Sequence, residues 1–121
     1  MRALWMFSLL WVAACSNDAE LPTQYHRDLL AQPTATTSVD ADGIDVGWEM
    51  ASLDNVDSFV IGFADSSGTE TTRAIGEATT TQWRETNLEL NSGSTWIVRV
   101  WAVDARGFFG PTSIPDTLTV P

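Results

Sequence analysis

From residue 33 onward, apolar and polar residues alternate in short runs separated by turn-forming clusters, the pattern of antiparallel strands with one buried face. Ile44, Val46, Trp48 and Met50 share one face of the run 44–50, and Phe59, Ile61 and Phe63 share one in 58–65. Trp96, Val98, Val100 and Ala102 form the clearest inward set, in 95–104. Thr36 to Val39 predicts a weaker first strand, and Leu118 and Val120 mark the last. The threonine-rich stretch 70–86 is poorly patterned and predicts one or two strands near a sheet edge. Asp40-Ala41-Asp42-Gly43 and Asp65-Ser66-Ser67-Gly68 carry turn chemistry between the runs. No window has a helical period. About seven short strands at this spacing predict an all-β, immunoglobulin-like sandwich.

Before residue 33 the pattern differs. Met1-Arg2 is a basic start, and residues 3–12 are an apolar run shorter than the roughly 20 residues of a membrane-spanning helix. With the small residues Ala13-Ala14 behind it, the run reads as a secretory leader over 1–14. Residues 15–32 show no sustained period; their first half is polar and broken by Pro22, as expected of a tether. Tyr25, Leu29 and Leu30 are expected to pack on the base of the domain that fills 33–121. Val12-Ala13-Ala14-Cys15 resembles the lipobox of bacterial lipoproteins, whose cysteine is acylated and becomes the first mature residue. That resemblance implies membrane attachment through acylated Cys15, with palmitate-like chains. Two or more such chains hold a protein stably where one does so only marginally. Ser16 after the cysteine resembles the sorting pattern that directs Gram-negative lipoproteins to the outer rather than the inner membrane.

Within 33–121, Trp48 in an early strand, the aromatic-rich run Phe59-Val60-Ile61-Gly62-Phe63 and the stretch from Leu90 to Asp104 together resemble a fibronectin type III domain. In that stretch a leucine, the turn glycine Gly93, the aromatic Trp96 and alternating valines follow the family order. Asp104-Ala105-Arg106-Gly107 and Gly110-Pro111-Thr112-Ser113 are similar to the family's final hairpin and the serine after it. Trp96 stands where the family usually has tyrosine, whose hydroxyl bonds back to the preceding corner. An indole N–H donates but cannot accept. If Leu90 is the family leucine, Glu85 points at the core; if it is Leu88, the following turn gains two residues.

Composition narrows the function. The 121 residues carry a net charge of −10, and every positive side chain is arginine. Such an acidic chain repels nucleic acid. The single cysteine can form no internal disulfide, and the single histidine, His26, lies in the tether, so no serine–histidine relay can form within the domain. Nearly all the acids fall in turns or on outward positions, where solvated carboxylates are the ordinary outcome. No catalytic residues, cofactor or metal site are therefore expected, and no enzyme. Asp40, Asp42 and Asp45 invite a calcium reading, but Gly43 comes too early for an EF-hand and no glutamate follows at the required step.

A period of two that buries Trp96, Val98 and Val100 turns Ile97, Arg99, Trp101 and Val103 outward, with Val60 of the neighbouring strand on the same face. Phe108 and Phe109 are adjacent at a hairpin tip, so one of them is expected to face outward or to fold back over the open end of the core. These seven residues form the candidate binding surface, because aromatics and arginine dominate interaction hot spots. The competing reading is a half-exposed apolar stripe, or one covered by the tether around Tyr25, Leu29 and Leu30. The sequence thus points to a non-catalytic binding or adhesion module of the bacterial envelope with a protein or glycan partner. The alternative is a structural or assembly subunit of an envelope complex with no free ligand.

Overall fold

A computed structural model describes residues 30–121. The expected leader 1–14, Cys15, and the tether as far as Leu29, with Tyr25 and His26, lie outside the described residues. Eight strands follow in order: β1 (Thr34–Val39), β2 (Ile44–Glu49), β3 (Ser58–Ala64), β4 (Glu70–Ile75), β5 (Gln82–Glu85), β6 (Thr95–Val103), β7 (Phe109–Thr112) and β8 (Asp116–Thr119). One sheet runs β1-β2-β5. The other runs β4-β3-β6-β7, with β8 also paired to β6, and every ladder is antiparallel. The described residues therefore form an all-β sandwich of two antiparallel sheets.

The alternating runs become the two inner faces. Ile44, Val46 and Trp48 of β2 meet Phe59, Ile61 and Phe63 of β3 and Trp96, Val98, Val100 and Ala102 of β6, all buried, with Ile75 and Val120 closing the cluster. Trp48 and Phe59 pack as a tilted aromatic pair with ring centroids 5.3 Å apart, a geometry that contributes about 0.5–1.5 kcal/mol beyond area burial. Met50, on the same face but just beyond the end of β2, is partly buried against this cluster. The stretch 70–86 resolves into β4 and β5, each at the edge of a different sheet.

The final strand is split in two, and the reason is local. Pro111 and Pro115 have no N–H to give a ladder. Between them Ser113 takes over the pairing: its N–H donates to the Val100 carbonyl at 2.8 Å, and its buried Oγ accepts the Val100 N–H at 2.8 Å. Ile114 then swings out to 78% exposure before β8 rejoins β6 at Asp116.

Glu85 is a charged residue in the core, at 2% exposure. It survives there because both oxygens are satisfied. Arg73 donates Nε to Oε1 at 2.7 Å and Nη2 to Oε2 at 3.0 Å, Trp83 Nε1 donates to Oε1 at 3.1 Å, and the Asn87 N–H donates to Oε2 at 3.1 Å. The forked Arg73 contact, ahead of the Trp83 and Asn87 bonds, holds the carboxyl below its ordinary range despite burial. Arg73 belongs to β4 and Glu85 to β5, so this ion pair bridges the two sheets along their open side. Both leucines of the ambiguous register, Leu88 and Leu90, pack partly buried against the core. At the adjoining corner the Trp96 indole donates to Ser94 Oγ at 3.3 Å, and that hydroxyl donates to the Asn91 carbonyl at 2.6 Å.

Candidate functional site

The outer face of the larger sheet gathers the expected surface residues, with one exception. The ladders set Val60 opposite Trp101, Gly62 opposite Arg99 and Ala64 opposite Ile97, so these six side-chain positions share the solvent side of β3 and β6. The Arg99 guanidinium lies over the Trp101 ring, 4.7 Å from its centroid, and Nη2 donates to Glu70 Oε2 at 2.6 Å. Trp101 in turn packs against Phe109 of β7 with centroids 5.9 Å apart. Glu70 of β4, Arg99 and Trp101 of β6 and Phe109 of β7 thus form one stripe that passes over β3. Ile97 and Phe109 are the most open of the predicted residues on this side, at 38% and 47% exposure.

Gly62 makes the stripe possible. A Cβ there would come within 2.5 Å of Glu70 Oε2 and 3.0 Å of the Trp101 ring, so carboxylate and indole both rest on bare backbone. Each interaction is modest: a cation–π contact at an exposed site contributes about 0.5–1 kcal/mol, and a half-exposed ion pair less than about 1. Together they hold a long arginine and a tryptophan in one arrangement before any partner arrives, which lowers the ordering cost of binding. Neither Glu70 nor Gly62 was legible as part of the face, because their place depends on the β3–β4 register.

Val103 is the exception. Expected to point outward, it is buried at 6% exposure. The β6–β7 ladder shifts register between Trp101 and Val103, and Val103 lies between Ser58 and Phe109, with its carbonyl accepting the Asp57 N–H at 2.8 Å. Strict alternation ends where neighbouring chain ends close over the strand. Phe108 is partly buried, whereas Phe109 carries the exposure expected at this hairpin. Asp104 shapes the turn, accepting the Arg106 and Phe108 N–H groups at Oδ1. Of the three tether residues expected near this face, Leu30 is the one among the described residues. It is buried against Gly110 of β7, and Gln32 Nε2 donates to the Thr112 carbonyl at 2.8 Å.

On the opposite sheet a shallow groove of about 470 Å³ is lined by Thr36, Ser38, Asp45, Gly47, Gln82 and Arg84, among others. Its charges are mutually engaged: Arg84 binds Asp45 at 2.7 Å and both oxygens of Asp40 at 3.0 Å. Asp40 Oδ1 also accepts the Asp42 and Gly43 N–H groups, and these bonds, the Asp42 one foremost, lower its pKa. Two of the three aspartates that suggested calcium are thus held by a guanidinium. Among the described residues no group of three or more His, Cys, Asp or Glu is placed to hold a metal ion.

The sequence matches no protein-family model and no curated protein. Solved structures do match. One described as a myokine structure superposes with a TM-score of 0.64 at 22% identity, over 76% of this chain and 98% of that one. The FN3 domain of human collagen XX gives 0.61 at 21% identity, over 74% and 91%. The fold is that of a fibronectin type III domain. Pectate lyase PelI from Erwinia chrysanthemi gives 0.58 at 21% identity, over 72% of this chain but only 28% of the enzyme. The same fold thus makes up nearly all of two of these solved chains and a minor part of the third. At these identities the likeness establishes architecture alone.

Proposed function

We propose that this chain is a lipid-anchored, non-catalytic binding module of a bacterial cell envelope, engaging its partner through the outer face of the larger sheet. The observation that carries the reading is the pre-formed stripe in which Arg99 is held between Glu70 and Trp101, flanked by the open Ile97 and Phe109. Arginine and tryptophan in an ordered, partly desolvated setting with apolar neighbours are what binding hot spots contain. The open apolar side chains beside it, Ile97 and Phe109, favour a protein partner over a glycan. Attachment through acylated Cys15, at the outer membrane by virtue of Ser16, rests on the lipobox resemblance.

Two measurements test the two halves. Crosslinking in native membranes is expected to recover a protein partner that Trp101→Ala loses while the melting curve stays close to that of the parent, whereas a stoichiometric envelope subunit as the sole crosslinked product supports the structural or assembly reading. Unfolding of that variant would instead mark Trp101 as structural, and undiminished capture would move the site elsewhere. Intact-mass analysis of the membrane-extracted chain is expected to show acyl chains on Cys15, absent in Cys15→Ser. An unmodified product in the culture fluid contradicts the anchor.

A further inference from the structure

A two-sheet sandwich has four free strand edges, and in this one they are not equally protected. The β7/β8 edge is interrupted by Pro111 and Pro115, shifts register at Trp101/Val103, and has Gln32 bonded to its Thr112 carbonyl. The β1 edge lies against β8, with Thr37 Oγ1 donating to Asp116 Oδ2 at 3.2 Å. β5 is only four residues long. β4 differs from all three. It runs six residues, Glu70–Ile75, in unbroken register with β3, without proline or bulge. Edge strands are ordinarily blunted by charge, proline or bulges. The two charges of β4 are turned to other work, Glu70 to Arg99 and Arg73 to Glu85.

The Asp65 N–H donates to the Thr69 carbonyl at 3.0 Å, which sets the alternation of the adjoining ladder. The pairs Phe63–Thr71, Ile61–Arg73 and Phe59–Ile75 then exchange the bonds with β3, and Glu70, Thr72 and Ala74 turn their N–H and C=O groups to the free edge. Arg73 Nη1 donates to the Thr72 carbonyl at a long 3.4 Å.

We propose that β4 pairs with β4 of a second copy of this chain, antiparallel about a two-fold axis through Thr72. In that register Thr72 faces Thr72 of the second copy and Glu70 faces Ala74 of the second copy. Every outward backbone group then meets a complementary one and no like charges are opposed. The strand is therefore self-complementary, which a two-fold interface requires. The larger sheet continues from one copy into the other, with both Trp101 stripes on the same face, so a partner would meet two sites side by side. This pairing stands independently of what binds the stripe.

The test is sedimentation of the full chain, extracted in non-ionic detergent, across a concentration series. A reversible dimer is expected. Ala74→Glu, which sets a carboxylate opposite Glu70 of the second copy at both ends of the pair, is expected to weaken it by about tenfold or more, whereas Ala74→Arg at the same exposed position tightens it. Oxidation of Thr72→Cys is expected to yield a mass-mapped peptide joined at position 72 to its counterpart, distinguishable from any link through Cys15. A chain that stays monomeric up to about 1 mM, including one whose β4 edge crosslinks only to another protein, overturns the proposal. So does a dimer whose strength is indifferent to the sign of the charge at position 74.

Discussion

Replacing Glu85 by glutamine changes the molecule where a full charge is buried between the sheets. The side chain keeps its shape, but the charge that draws the Arg73 fork is lost, and one amide donor must face a guanidinium that can only donate. Breaking a buried ion pair from one side costs about 3–5 kcal/mol when the orphaned charge is sealed from water. Here the remaining charge is Arg73, whose side chain is 31% exposed, so solvent recovers part of that loss. The Trp83 and Asn87 donors retain one acceptor oxygen between them. A cost of about 2–3 kcal/mol follows, equivalent to a fall of roughly 10–20 °C in melting temperature for a domain of this size.

The pH dependence gives the argument a second, independent readout. The folded Glu85 carboxyl titrates below the ordinary glutamate value, chiefly through Arg73. Its stabilisation is therefore complete above the unfolded value of about 4.3, and it is lost as pH falls through the lower folded value. Thermal melts of the parent and Glu85→Gln, followed by circular dichroism, should differ most at neutral pH and converge on acidification below about pH 4. Asp40 and Asp65 are also lowered, Asp65 chiefly by the Ser67 hydroxyl, but they titrate alike in both proteins and cancel from the difference. A gap under about 0.5 kcal/mol at pH 7, or one that does not change with pH, would refute the account of Glu85 as an ion-paired clamp.

Three further outcomes follow from the same contacts. Ser113→Ala removes the hydroxyl that accepts the buried Val100 N–H, and chemical denaturation should show a loss of about 1–3 kcal/mol. Gly110→Ala would place a Cβ 2.7 Å from the Leu30 Cβ, which cannot rotate away as a chain tip could. That change should cost about 1–3 kcal/mol and make the backbone near residue 30 more susceptible to limited proteolysis. Gly107 sits at φ +87° with open space around its missing side chain, so Gly107→Ala should cost only the backbone penalty, about 1 kcal/mol by thermal melt.

The placement of aromatics on the binding stripe shows how far local pattern reaches. Parity alone turns Ile97, Arg99 and Trp101 outward, and they share one solvent face, because side-chain direction in a strand is a property of consecutive residues. The same logic failed two residues later at Val103, where the β6–β7 ladder slips and the chain around Asp57 and Ser58 closes over the strand end. Of the adjacent phenylalanines, parity could not choose; the closure of the hairpin by Asp104 left Phe109 more open than Phe108.

What the chain determined unaided is the set of inward residues, from Ile44, Val46 and Trp48 to Val98 and Val100, together with the turns between them. Those depend on a period of two and on the backbone preferences of Gly, Asp and Pro, which act over a few bonds. Tertiary structure alone decided neighbours. It brought Glu70 to Arg99, set Gly62 beneath both partners of that stripe, carried Arg73 across to Glu85, and left β4 as the unblunted edge. Parity tells a side chain which face it occupies. Which strand lies alongside is set by non-local pairing, and that pairing decides whether a buried carboxylate finds its guanidinium.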